Sequence, residues 1–307
     1  MKKPVDSDSE VSKIRAKLGH LTMQWTPAAW LDTGFPDVNE VMGNRDKGIP
    51  YGRIIELHGL PSGGKSAIAL MLAALSQRQD NGVVIMGDFE TSFDPEWSTK
   101  RGLDPSKVLL FQPYVGMFGK EKEARLISAP ELCTEIEACI RSQSAHKRKS
   151  VVILDSLTSM LPEGEALAGL EDHNLRVKME LPLFLGSLLR RWVGLAQSCS
   201  SLVILVNQLR QNPMQKWGSK WYTPGGSAPL FYSHIRVKVR RARKGQILDA
   251  KKKVVGIRGI LRCVKNKVGG TEGAEIGYSM MYNGPMQFMP VKDIEPKEKK
   301  EAGDDDE

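Results

Sequence analysis

Eight residues of this chain, Gly59 to Ser66 in "GLPSGGKS", have the types and spacing to grip a polyphosphate. They fit G-x-x-x-x-G-K-[ST] between a strand-like run, "RIIEL", and a helix-like one, "KSAIALMLAALSQRQ". Gly59, Gly63 and Gly64 let backbone N–H groups turn inward around phosphate oxygens, and the helix N-terminus adds its positive end. Lys65 would neutralise β- and γ-phosphates, the Ser66 hydroxyl would take Mg²⁺, and Ser62 and Ala67 complete the cradle. A Gly-rich turn that matches by chance is the bland alternative, and the strand–loop–helix order argues against it.

Carboxylates follow at strand ends. "SVVILDS" delivers Asp155 to the carboxyl edge of a sheet, where it would hold the metal or its water; an ordinary N-cap acid is the competing reading. "VVIMGDFETSFDP" brings Asp88 and Glu90 to another such edge. Glu90 is the candidate for polarising an attacking water, against simple pairing with a surface arginine. Asp94 and Trp97 come next; an indole there could stack on adenine while a carboxylate accepts from its amino group. Core packing fits Trp97 equally well.

A third stretch invites a polyanion. After "SLVILV", residues 207–226, "NQLRQNPMQKWGSKWYTPGG", interleave Arg210, Lys216 and Lys220 with Trp217, Trp221 and Tyr222. Loops this long are either disordered or functional, and cations mixed with aromatics suit single-stranded nucleic acid.

The elements that must position these residues alternate as strand and helix. "GVVIMGDF", "SVVILDS" and "SLVILVNQ" are continuous apolar strands, separated by helices "APELCTEIEACIRSQ" and "LPLFLGSLLRRWVGLAQSC". That pattern predicts an α/β fold with a mostly parallel central sheet flanked by helices. Beyond residue 228, "HIRVKVRR" and "GIRGILRCVKNK" alternate and predict exposed antiparallel strands on the C-terminal side. Arg236, Lys238 and Arg240 share one face of the first, as groove-lining or solvated cations. "VSKIRAKLGHLTMQW" reads as an amphipathic helix in an arm over residues 1–32, the core as 33–291, and residues 292–307 as a solvated acidic tail. The net charge is +8; the tail holds four lysines and eight acids, so the remainder carries +12. A basic body points to a polyanion partner. No run suits a membrane span or secretory signal, and the four cysteines show no metal or disulfide spacing.

The ordered set "DTGFPDVNEVMG", "GIPYGRIIELHGLPSGGKS", "GDFETSFDP", "VVILDSLTSM", "VNQLR", "GGSAPLFYSHIRVKVRR" and "RCVKNKVGG" resembles the bacterial and bacteriophage branch of the RecA-family recombinases over roughly residues 33–290. The resemblance implies a RecA-like P-loop ATPase core using ATP and Mg²⁺. Lys65 and Ser66 would bind phosphate and metal, Glu90 would be the catalytic carboxylate and Asp155 the Walker B acid. Asp94, Trp97 and Tyr282 would surround adenine, Trp97 standing where tyrosine is usual. Lys265 and Lys267 of "KNK" would reach the neighbouring protomer's γ-phosphate, and Gln208 would sense it and lead into the second DNA loop. Arg210 through Gly226 would then meet DNA, with Gly225 and Gly226 as its hinge. Arg190 and Arg191 would face DNA, Phe231 a neighbouring protomer, and residues 161–174 would hold the first DNA loop.

The implied activity is a DNA-dependent ATPase that forms helical filaments on single-stranded DNA and exchanges strands with homologous duplex. A single-strand-binding protein and a loader are potential partners. The compact core leans toward a bacteriophage protein in host cytoplasm. Two alternatives stand beside it: a ring-forming RecA-fold helicase or repair motor, and a non-exchanging filament regulator. "KNK" in place of an arginine finger weighs against the first, and intact Lys65, Glu90 and Asp155 against the second.

Overall fold

The computed structural model describes residues 13, 17, 27, 29–118, 123–167, 175–211 and 221–295. The apolar runs form one nine-stranded sheet. Its parallel part holds β1 (Ile54–Gly59), β2 (Val83–Asp88), β3 (Val108–Phe111), β4 (Ser150–Asp155), β5 (Ser201–Gln208) and the start of β6 (Ile235–Leu248). β7 (Val254–Asn266), β8 (Glu275–Met281) and β9 (Met286–Met289) follow as antiparallel additions. The order across the sheet is β9-β8-β7-β6-β1-β5-β4-β2-β3.

Both faces are covered, as continuous apolar strands require. α1 (Lys65–Asp80) lays Ile68 and Leu72 on one face against Leu57 and Ile153. α2 (Ala129–Ala145) and α3 (Leu175–Ser198) lay Ile136, Leu189 and Trp192 on the other, with Val152 and Leu205. Alternation along each strand sends successive side chains to opposite cores. Each fully buried Leu or Ile contributes about 1.5–3 kcal/mol; truncating Leu189, at 0% exposure, to alanine would cost about 2–5 kcal/mol.

Local signals set the boundaries. Asn81, with φ of 50°, ends α1 in a left-handed turn. At α2 the Glu131 carboxylate accepts from the Ser128 N–H at 2.9 Å, a capping-box contact. β5 has the bounds the sequence predicts, and α3 starts earlier than "LPLFLG" suggests. Three features differ from expectation. β6 is a hybrid: Ile235–Lys238 pair parallel with β1 while its other edge pairs antiparallel with β7. β3 was not foreseen, because an edge strand with half-exposed Leu109 and Leu110 lacks the fully buried pattern. The tail is shorter than read, since Val291–Ile294 form a helical turn and Glu295 accepts from Arg240 at 2.9 and 2.8 Å.

Nearly all of the expected arm, and Lys216, Trp217 and Lys220, lie outside the described residues. Among the described residues no helix is long and apolar enough to cross a membrane.

Candidate nucleotide site and the groove beside it

In an open α/β sheet the functional crevice lies beyond the carboxyl ends of the parallel strands. Here those ends surround a cavity of about 480 Å³. Gly59 ends β1, and the turn after it passes through Ser62 at φ 58° and Gly64 at φ 86° before α1 begins. The positive φ at Gly64 favours glycine. The Tyr278 hydroxyl, on β8, donates to the Gly63 carbonyl and fixes this turn to the antiparallel half.

Lys65 is 6% exposed and donates to the carbonyls of Gly59 at 3.0 Å and Leu60 at 2.9 Å. Burial lowers its pKa, opposed by Asp155 and Glu90. Asp155 is pushed up to about 6, first by burial and also by Glu90 and Asp88, while the Ser66 hydroxyl bonds it and opposes the shift. Its Oδ2 is buried with no hydrogen-bond partner. A buried, unsatisfied carboxylate oxygen beside a hydroxyl suits an oxygen-seeking divalent cation, so Ser66 and Asp155 fit Mg²⁺.

Glu90 Oε1 accepts from Gln208 Nε2 at 2.7 Å and from Ser156 Oγ at 2.5 Å. Asp88 is structural in this arrangement: its Oδ2 accepts from the Phe93 N–H and Gln112 Nε2, both at 2.8 Å, and so shapes the loop carrying Glu90. Trp97 and Tyr282 face the same cavity from the far side. Arg101 joins them, its guanidinium carbon 4.6 Å from the Trp97 ring centroid and its nitrogens donating to the carbonyls of Met281 at 2.7 Å and Gly284 at 2.8 Å. Asp94 is used locally, accepting from the N–H groups of Glu96 and Trp97 as the cap of Pro95–Lys100.

A larger groove of about 1100 Å³ opens on the other side of the sheet edge. Arg210, Trp221, Tyr222, Gly225 and Gly226 line it, with Lys238 and Arg262 as further cations. Trp221 and Tyr222 are 41% and 47% exposed, and Gly225 and Gly226 both have positive φ. Arg236 reaches the groove but its guanidinium pairs with Glu56. The expected arginines of α3 are elsewhere: Arg190 donates to the Tyr232 hydroxyl at 3.2 Å and Arg191 pairs with Glu137 at 2.8 Å. Arg240 is likewise turned away, to Glu295.

Lys265 and Lys267 do not line the candidate nucleotide cavity. Lys265 Nζ donates to the carbonyls of Leu230 at 2.7 Å and Phe231 at 3.2 Å, Lys267 is exposed, and the Phe231 side chain is 67% exposed.

Ser156, Tyr278, Arg101 and Arg241, which also lines the cavity, were not anticipated. Ser156 and Arg241 close the runs "SVVILDS" and "GGSAPLFYSHIRVKVRR" with no role assigned to them there, while Tyr278 and Arg101 come from segments with no motif, so three-dimensional pairing brings them to the site.

A glycine-rich turn at a helix N-terminus, flanked by strand-end acids on a parallel sheet, is the architecture of the P-loop fold. Residues 26–286 match the family model described as the RecA N-terminal domain. Relatives named "Protein RecA" include those of Rhodopirellula baltica (32% identical over 238 residues, 78% of this chain and 56% of the relative) and Clostridium beijerinckii (30% over 253 residues, 82% and 63%). A third is from Chlorobaculum parvum, 32% identical over 221 residues, 72% of this chain and 57% of the relative. The chain belongs to the RecA family. It spans 56–63% of the length of these relatives.

Proposed function

We propose that this chain is a DNA-dependent ATPase that assembles as a helical filament on single-stranded DNA and exchanges strands with a homologous duplex. The observation that carries the reading is the Glu90–Gln208 hydrogen bond, 2.7 Å. It joins the carboxylate best placed for hydrolysis to Gln208, the strand-end residue that leads into the aromatic, cationic loop.

The phosphate turn and Lys65 hold the triphosphate. Ser66 and Asp155 would hold Mg²⁺, which when bound neutralises phosphate charge. Glu90 orients water and accepts its proton as oxygen attacks the γ-phosphorus and the bond to the bridging oxygen breaks, with ADP leaving. Gln208, drawn toward the γ-phosphate, exchanges its Glu90 partner for it and repositions the loop that follows. Among the described residues the cavity's own cations are Lys65 and Arg241. Lys265 and Lys267 of the next protomer add charge only when that protomer is docked. Unlike surfaces joined by a non-closing rotation make a filament, and backbone and stacking contacts leave sequence to base pairing.

The test is ATP hydrolysis with and without single-stranded DNA, for wild type and Lys267→Ala, with electron microscopy of the same samples. Stimulated hydrolysis on filaments, lost in the variant, is expected. Closed rings, or hydrolysis indifferent to DNA and to Lys267, would overturn the reading.

A further inference from the structure

Between the nucleotide cavity and the groove runs a largely buried polar chain, with Gln208 lining the one and Thr223, Pro224 and Arg236 lining the other. It starts at Glu56, which sits at 0% exposure inside the apolar strand β1. One carboxylate oxygen accepts from Arg236 Nε, on β6, and the other from Asn207 Nδ2, on β5, at 2.9 Å. The Asn207 amide nitrogen also donates to the Pro224 carbonyl at 3.2 Å, and its oxygen accepts from the Gln208 N–H at 3.0 Å. Arg236 reaches Thr223 Oγ1 at 3.5 Å.

A buried ion pair is a poor way to stabilise a sheet. Burying both charges costs several kcal/mol per ion, and apolar residues of similar volume often serve as well. What this pair does is geometric. Gln208 touches Glu90 on one side, and Asn207 next to it is pinned to Glu56 and to Pro224. Pro224 directly precedes Gly225 and Gly226, where the loop rejoins the core. A displacement of Gln208 therefore cannot leave the returning limb of the loop untouched, because the two share Asn207.

We infer that Glu56, Asn207 and Arg236 form a positioning relay that couples the nucleotide contact of Gln208 to the returning limb of the 209–226 loop. This rests on the ATP- and DNA-dependent reading above. The relay acts through discrete hydrogen-bond partners, one of the physical routes by which coupling travels between two sites.

The measurement is the ratio of single-stranded DNA affinities with and without a non-hydrolysable ATP analogue, which equals the effect of DNA on nucleotide affinity. Wild type should give a ratio within about 5–150. Asn207→Ala should bring it to within about twofold of one while DNA-free hydrolysis stays within about twofold of wild type. Glu56→Leu/Arg236→Met breaks the relay at the end away from Gln208, leaves no unpaired buried charge, and should also collapse the ratio without lowering Tm. Adding Gln208→Ala to that pair should change the ratio no further, since residues of one network are not additive. A wild-type ratio retained in the pair variant, or additive effects with Gln208→Ala, would overturn the relay. Should the pair variant not fold, Asn207→Ala decides alone: a retained ratio overturns the relay. A ratio of one in wild type would instead sink the reading on which it rests.

Discussion

The two openings that flank β5 are walled differently. The nucleotide cavity takes its polar groups mainly from strand ends and one helix N-terminus, so Lys65, Ser66, Asp155 and Gln208 arrive wherever the sheet delivers its carboxyl edge. The groove takes its cations from the faces of β6 and β7, and its aromatics from the return of a long loop. Burial disfavours the charged form in both. It raises Asp155 to about 6 at the cavity and lowers His58 to about 4 at the groove, so each loses its charged form more readily than usual. One wall is set by short-range backbone geometry, the other by side chains that strands and a loop distant in sequence bring together.

The sharpest way to separate the two is Lys65→Ala. It should lower ATP hydrolysis by about 10²–10³-fold, yet leave nucleotide-free affinity for single-stranded DNA within about twofold. A matched loss of nucleotide-free DNA binding would mean that the walls are not independent. Trp221→Ala probes the other opening: stacking is worth about 1–3 kcal/mol per base, so DNA affinity should fall about 5–150-fold in a titration while nucleotide affinity holds.

The smallest expected effect concerns acid. His58 has a folded pKa of about 4 against an ordinary 6.5, because burial disfavours its cation. Above pH 6.5 both folded and unfolded chains hold it neutral. As pH falls through 6.5 toward 4, the unfolded chain gains a proton that the fold refuses, and stability is lost. This amounts to about 2 kcal/mol between pH 7 and pH 5. His58→Phe should shrink the fall in Tm over that interval; an unchanged fall would show that His58 is not its source. His234, also held near 4 by burial, would keep part of the acid sensitivity.

The same contrast explains what could be read from the sequence. The phosphate turn, Asp155 and Glu90 were legible because residue type and position within a strand–turn–helix segment fix their geometry. The parallel half of the sheet was legible for a similar reason, since continuous apolar strands need two covered faces. Arg190, Arg191 and Arg240 were not, because a cation's destination depends on acids far away in sequence, here Glu137 and Glu295. Tyr278 and Arg101 carry no local signal at all. Glu56 did carry one: a carboxylate inside "RIIELHG" cannot be buried without a partner, and its partners Arg236 and Asn207 could have been sought on neighbouring strands.

The central claim is that the nucleotide site is completed by the next protomer. The most direct measurement is hydrolysis by a mixture of Glu90→Ala and Lys267→Ala protomers, each inactive alone. In a randomly mixed filament, some interfaces pair an intact Glu90 with an intact Lys267 from the neighbour, and DNA-stimulated hydrolysis should return to roughly a quarter of the wild-type rate. No recovery from mixed filaments would mean that both groups must belong to one chain, and the shared-site account would fall.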